Sequence, residues 1–275
     1  MALGYETRDG VAWATLERPE VLNALDAEHL DGLLAAVARV AADDATHVLV
    51  ITGSGRAFSV GGDIKAMDGM SEDDFRATAR RYQRLARDMR ALDKPVLAAI
   101  NGYCLGGGLE LALMCDLRLA AASARLGLPD AQLGFSPTGG LTWLLPRLIG
   151  AGRAMDLALD AEPIDAAEAE RIGLVTRVVE DAELMVATEA LARKIAAWPR
   201  TAMANTKRAL QAGAESGFEA ALAREEDFDV DCFRDAETRK NLAAFQFAPR
   251  TVTEEPSGGV RPKSPSIFQP IDSSR

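Results

Sequence analysis

The sequence predicts an α/β domain followed by a helical region, and three observations carry this. Strand-like and helix-like segments alternate as far as residue 180. The short runs 48–51 and 96–100 are apolar without polar alternation, the pattern of strands covered on both faces. Beyond Glu180 only helical periodicity remains.

Residues 11–16 have strand propensity, with Trp13 and Thr15 on one face, and Arg18-Pro19-Glu20 supplies a turn. Asp26 caps a helix whose apolar positions Leu30, Leu33, Leu34, Val37 and Ala41 recur at helical spacing up to Asp43-Asp44. The strand 48–51 then opens into a glycine-rich loop running from Gly53 through Phe58-Ser59-Val60-Gly61-Gly62-Asp63. This loop is no dinucleotide fingerprint, because GxGxxG starting at Gly53 needs a glycine where Phe58 stands; no Walker lysine pattern occurs either. A polar segment, 67–74, leads into a helix with Phe75, Tyr82, Leu85 and Met89 along one face, and its arginines form a solvated face.

Lys94-Pro95 ends that helix, and the strand 96–100 delivers the chain to NGYCLGGGLELALMCD, residues 101–116. Strands are expected at 117–121 and 125–128, followed by Pro129-Asp130 and the loop 134–140. Asp165 and Glu168 form a capping-box helix start, and Gly173 stops that helix before a strand at 175–179. Helices follow at 182–198, 201–212, 218–233 and 236–247. From Thr251 onward, Pro256, Pro262, Pro265 and Pro270 stand among serines and glycines, as in an extended or flexible tail. The expected division is an α/β core over 1–180, a helical region over 181–250 and a tail over 251–275. Periodicity by itself proves no internal repeat.

A chain of 275 residues with 48% hydrophobic residues can bury a sizeable core. Its net charge of -10 argues against nucleic acid or an anionic membrane as the main partner. Cys104, Cys115 and Cys232 are odd in number and form no CxxC pair, as in a reduced cytoplasmic protein. The N-terminal MALGYETRDG has no apolar signal region, and Glu110, Asp116, Arg118 and Arg125 interrupt the apolar stretch 95–128, so neither export nor a membrane span is expected.

Three consecutive glycines, Gly106 to Gly108, sit directly before a helix-like segment that carries Glu110. Bare backbone at a helix start leaves N–H groups unpaired and facing a ligand, which suits an oxygen that is or becomes negative. Glu110, set among Leu109, Leu111, Leu113 and Met114, is a carboxyl placed to carry protons. The same glycines also fit an ordinary turn that packs a helix close to a strand, and both readings stand at this point. Only two histidines exist, His29 and His47, so no triad or histidine-rich metal site is readily assembled. Acid and base work therefore falls to carboxylates, with Glu110 first and Asp130, fixed behind Pro129, second; a turn or cap aspartate is the plain alternative for Asp130.

Several segments together, Arg18-Pro19 with Asn23-Ala24-Leu25, FSVGGDIK, NGYCLGGGLELALMCD, GLPDAQLGF, LPRLIG and AERIGLV, resemble the enoyl-CoA hydratase/isomerase (crotonase) superfamily in order and spacing over residues 18–247. That resemblance implies a spiral of repeated ββα units with a C-terminal helical region that builds homotrimers or dimers of trimers. It implies an acyl-CoA thioester as ligand, with coenzyme A as part of the substrate and no separate cofactor or metal. It places the N–H groups of Gly62 and Gly107 as an oxyanion hole, Glu110 and Asp130 as the catalytic pair, and Val21, Leu22, Ala24, Asp63, Ile64 and Lys65 beside the CoA. Hydration of a 2-enoyl-CoA is the leading expectation.

Two departures from the superfamily pattern matter. Asp130 stands where hydratases carry a second glutamate, which opens double-bond isomerisation as an alternative. Phe245-Gln246-Phe247-Ala248 replaces a terminal basic motif, with Arg250 displaced, which leaves a non-catalytic acyl-CoA binding protein as a further one. Thr138 and Gly139 offer no acid where some isomerase-like relatives have an aspartate.

Overall fold

A computed structural model describes residues 3–244 of the chain. The end of the helix expected at 236–247, the segment Phe245 to Arg250 and the tail 251–275 lie outside the described residues.

The chain opens with a hairpin that the sequence reading passes over. Strand β1 (Leu3–Arg8) pairs antiparallel with β2 (Val11–Leu16) through Asp9-Gly10, both at positive φ (50° and 75°). An Asp-Gly pair between strand-like runs is a strong hairpin signal, so this element was legible. Helix α1 (Ala27–Ala42) is capped by Asp26, which accepts from the His29 N–H. Val40 rather than Ala41 completes its buried stripe, because Ala41 falls on the solvent side.

Strand β3 (Val48–Gly53) is buried throughout, and β4 (Ala57–Ser59) follows inside the stretch expected to be loop. The short helix α2 (Ile64–Met67) and the long α3 (Glu72–Ala91) come next. Strands β5 (Val96–Ile100) and β6 (Tyr103–Leu105) precede α4 (Gly107–Met114); β7 (Leu117–Ala121) and β8 (Arg125–Gly127) precede α5 (Leu141–Ile149) and α6 (Ala151–Asp160). So β3-β4-α3, β5-β6-α4 and β7-β8-α5 are successive ββα turns, a repeat of architecture that periodicity does not reveal. Each turn gives one strand to each of two sheets. The larger sheet has the order β1-β2-β3-β5-β7-β10, closed by β10 (Arg177–Val179); the smaller is β4-β6-β8-β9, closed by β9 (Ile164–Asp165). β10 begins at Arg177, two residues later than expected, since Leu174 and Val175 both donate to the Ala169 carbonyl behind helix α7 (Ala166–Arg171).

The two faces of the larger sheet explain the continuous apolar strands. Ala12, Leu49, Ile51, Ala98 and Ile100 face α1, α3 and α4, while Val11, Trp13, Val50, Leu97 and Ala99 face helix α8 (Leu184–Ala196) through Leu184, Leu191 and Ala192. Burying each valine, leucine or isoleucine of this set stabilises the fold by about 1.5–3 kcal/mol, and each alanine by less. Helices α9 (Arg200–Gly213), α10 (Phe218–Arg234) and α11 (Ala236–Ala244) extend beyond the sheets. Lys207 of α9 ties them back, donating to Asp116 at 2.8 Å and to the Met89 and Lys94 carbonyls. Among the described residues no helix is long and apolar enough to cross a membrane.

Candidate active site

Both glycine loops leave the smaller sheet side by side, because β4 and β6 pair in parallel and each runs straight into its loop. A Cβ placed on Gly61 would lie 2.6 Å from the Gly107 nitrogen, so the two backbones touch. Gly61 adopts φ +90°, a conformation that glycine reaches without penalty. The three-glycine run divides its labour. Gly108 lets α4 pack on β4, since a Cβ there would meet the Ser59 carbonyl oxygen at 2.2 Å; Gly107 opens onto a cavity. The packing-turn reading thus holds for Gly108, while its neighbour Gly107 keeps its backbone on the cavity.

The Gly62 segment is pinned by its neighbours. Leu25 N–H donates to the Gly61 carbonyl and Asp63 N–H to the Leu25 carbonyl, which leaves the Gly62 N–H between them without a protein acceptor among the described residues. The Gly107 N–H, at the first position of α4, likewise has none there, as helix geometry dictates. Buried Asn23 holds this arrangement from behind. Its amide donates to the Ser54 and Ala57 carbonyls, while Ser59 Oγ donates to the Asn23 carbonyl and accepts from the Gly61 N–H. Leu22 and Asn23 both stand at positive φ (55° and 56°), a strained pair that those bonds keep in place.

A cavity of about 300 Å³ opens in front of the two amides. Glu110 and Asp130 both line it. Glu110 is 2% exposed and lies in the first turn of α4. Burial pushes its carboxyl up to about 7; the Thr138 N–H that donates to it pulls the other way, and the charge of Asp130 adds to the rise. Asp130 sits in a 3-10 turn (Pro129–Leu133), tighter than the loop expected there, with its carboxyl about 3.5 Å from where a Cβ on Gly106 would stand. Burial raises it too, against a hydrogen bond from its own backbone, and its Oδ2 is buried with no partner among the described residues. Two carboxyls with raised proton affinity facing one cavity are the equipment for moving protons at neutral pH.

The rest of the wall comes from residues that the sequence reading left in other roles. Tyr82, on the apolar face of α3, is 3% exposed and turns its hydroxyl toward Gly107. Phe75 of α3 stacks on Phe135 with ring centroids 5.6 Å apart and planes 17° from parallel. Ile64, Met67, Leu133 and Pro137 add apolar surface. Phe75 keeps partial exposure on an otherwise buried stripe, and that mismatch is the kind of signal that marks a wall residue.

Of the residues expected beside the CoA, Gly62, Ile64 and Gly107 line the cavity, whereas Val21, Leu22, Ala24, Asp63 and Lys65 do not. Ala24 is buried, Val21 and Leu22 are half-buried, and Lys65 is exposed on α2. Asp63 caps α2 through the Lys65 and Ala66 N–H groups and pairs with Arg18 at 3.1 Å. Neither histidine reaches the cavity: His29 Nδ1 sits 2.8 Å from Asp26, and His47 Nδ1 sits 2.8 Å from the Ala196 carbonyl.

Comparison with known proteins points the same way as this geometry. The family model described as enoyl-CoA hydratase/isomerase matches residues 6–248. A crotonyl-CoA hydratase of Syntrophomonas wolfei is 38% identical over 241 residues, spanning 87% of this chain and 93% of the relative. A short-chain-enoyl-CoA hydratase of Clostridium acetobutylicum is 36% identical over 87% of this chain and 92% of its own length. Among solved structures, an enoyl-CoA hydratase from Bacillus anthracis superposes with a TM-score of 0.86 at 33% identity, over 89% of this chain and 95% of that one. The fold is therefore the crotonase spiral, and the chain belongs to the enoyl-CoA hydratase/isomerase family.

Proposed function

We propose that the protein is an enoyl-CoA hydratase that adds water across the double bond of a 2-enoyl-CoA thioester. The carrying observation is the convergence of two unpaired glycine amides and two proton-avid carboxyls on one cavity. The thioester oxygen accepts from the Gly62 and Gly107 N–H groups, which draws electron density from the conjugated double bond and makes C3 electrophilic. As the water oxygen bonds to C3, the oxygen becomes enolate-like and its charge falls on amides already aimed at it. Glu110 and Asp130 between them take one proton from the water and return one to C2, so the pair ends the cycle with the protons it began with. Names carried by the relatives, crotonyl-CoA hydratase and short-chain-enoyl-CoA hydratase, support a short acyl group.

The CoA portion, which is part of the substrate rather than a separate cofactor, is assigned to the surface of Val21, Leu22, Ala24, Asp63, Ile64 and Lys65. Exposed Lys65, just past the Gly62 loop, supports a phosphate contact there. A spectrophotometric screen of 2-enoyl-CoA and 3-enoyl-CoA thioesters tests the activity. Crotonyl-CoA should be consumed, with kcat for Asp130→Asn at least about 100-fold down. Consumption of 3-enoyl-CoA instead, with Asp130→Asn nearly as active as wild type, would establish the isomerase.

A homotrimer or dimer of trimers is proposed through the C-terminal helices, supported by the exposure of Leu210 (73%), Phe218 (74%), Leu222 (43%) and Phe233 (61%) on α9 and α10. Light scattering after size exclusion should give three or six times the chain mass, and a monomer would remove the proposal. A cytoplasmic location is supported by the unpaired thiols of Cys104, Cys115 and Cys232.

A further inference from the structure

We propose that the hydroxyl of Tyr82 is a further substrate-binding group of the reaction site, donating a hydrogen bond to the oxygen that hydration places on C3 of the acyl chain. The proposal rests on the hydratase reading and adds a residue to it.

Tyr82 reaches the cavity from α3, and its hydroxyl is buried with no partner among the described residues. Leaving a buried hydroxyl unpaired is costly, and phenylalanine would fill the same space without that cost. The backbone makes room for the hydroxyl specifically. A Cβ on Gly107 would lie 2.6 Å from Tyr82 Oη, so glycine at 107 serves the phenol as well as the open amide. On the same cavity Asp130 Oδ2 is also buried and, among the described residues, unpartnered.

One of these two atoms is a donor and the other, when ionised, an acceptor. A water molecule, or the C3 hydroxyl made from it, can donate to one and accept from the other. The thioester oxygen already has two amide donors in Gly62 and Gly107, whereas the entering oxygen otherwise faces carboxylates, which accept. Burial, reinforced by the charges of Glu110 and Asp130, raises the phenol far above its usual range, so Tyr82 stays a donor at every working pH.

The test compares two ligands that differ only in that oxygen, 3-hydroxybutyryl-CoA and butyryl-CoA, by calorimetry on two proteins that both carry Glu110→Gln to stop dehydration of the hydroxylated ligand, one keeping Tyr82 and one with Tyr82→Phe. The protein that keeps Tyr82 should bind the hydroxylated ligand about five- to tenfold more tightly, the worth of one neutral hydrogen bond. In Tyr82→Phe the ratio should fall to about one with butyryl-CoA affinity unchanged, and the melting temperature should stay level or rise. For crotonyl-CoA hydration by Tyr82→Phe with Glu110 kept, kcat should drop about tenfold with KM little changed. An unchanged ratio in the Tyr82→Phe protein, or no preference in the protein that keeps Tyr82, overturns the proposal. A ratio between ligands inside one variant is insensitive to any general loosening, and Glu110→Gln in both proteins keeps it free of turnover. Failure of the hydratase reading shows separately, as absence of crotonyl-CoA consumption by wild type.

Discussion

Glu110→Gln is expected to lower kcat for crotonyl-CoA hydration by about 10²–10⁴-fold, because the amide keeps the shape of the side chain but cannot carry a proton. The Thr138 N–H can still donate to the amide oxygen, so the loop around the site should hold its position. The pH dependence adds an independent signature. With the Glu110 carboxyl raised from 4.5 to about 7 chiefly by burial, the folded chain keeps a proton that the unfolded chain releases between those values. Stability therefore falls as pH rises through that window, and the cost, about 3 kcal/mol, is fully present above it. Glutamine removes that cost. Thermal melts should show Glu110→Gln more stable than wild type at pH 8, with the difference shrinking toward pH 4. Unchanged turnover in the variant would remove Glu110 from the mechanism.

Gly61→Ala is expected to cost about 10²–10³-fold in kcat, the effect of losing one preorganised donor. The methyl group would sit 2.6 Å from the Gly107 nitrogen and 2.9 Å from the Leu105 oxygen, both backbone atoms, and so would wedge the two loops apart. Left-handed backbone at φ +90° adds about 1–2 kcal/mol of strain for alanine. Gly150→Ala separates the two effects. It carries φ +85° with nothing within 4 Å of the new Cβ, so it should lose stability through backbone strain alone and keep full activity. Steady-state rates and melts on both variants decide the matter; a Gly61→Ala protein with full kcat would show that the spacing of the amides is irrelevant.

Elements with an unambiguous period were legible in the chain. The fully apolar runs became β3 and β5, and Asp26 and Asp165 cap helices as their positions imply. The three-residue strands β4 and β6 were not legible, because a segment that short gives alternation no room to show, and glycines on either side favour reading a loop. Those two strands nevertheless set the site, since their parallel pairing brings Gly61 against Gly107. Asp130 was legible as a second acid, but its unpartnered oxygen was not. Tyr82 read as core, since periodicity reports which face a residue occupies and is silent on what its polar tip meets.

What the sequence by itself determined is the chemistry on offer: two bare-backbone loops after core strands, a glutamate in the first turn of an apolar helix, and an aspartate fixed behind a proline. Those are local properties, set by glycine's missing side chain and by proline's locked φ, and they survive without knowledge of neighbours. Tertiary structure alone decided which of these groups meet. It put amides from positions 62 and 107 beside one cavity, assigned Gly108 to packing and Gly107 to the opening, and buried Glu110 deeply enough to lift its carboxyl to about 7. Proximity and desolvation depend on contacts far apart in the chain, and no local pattern encodes them.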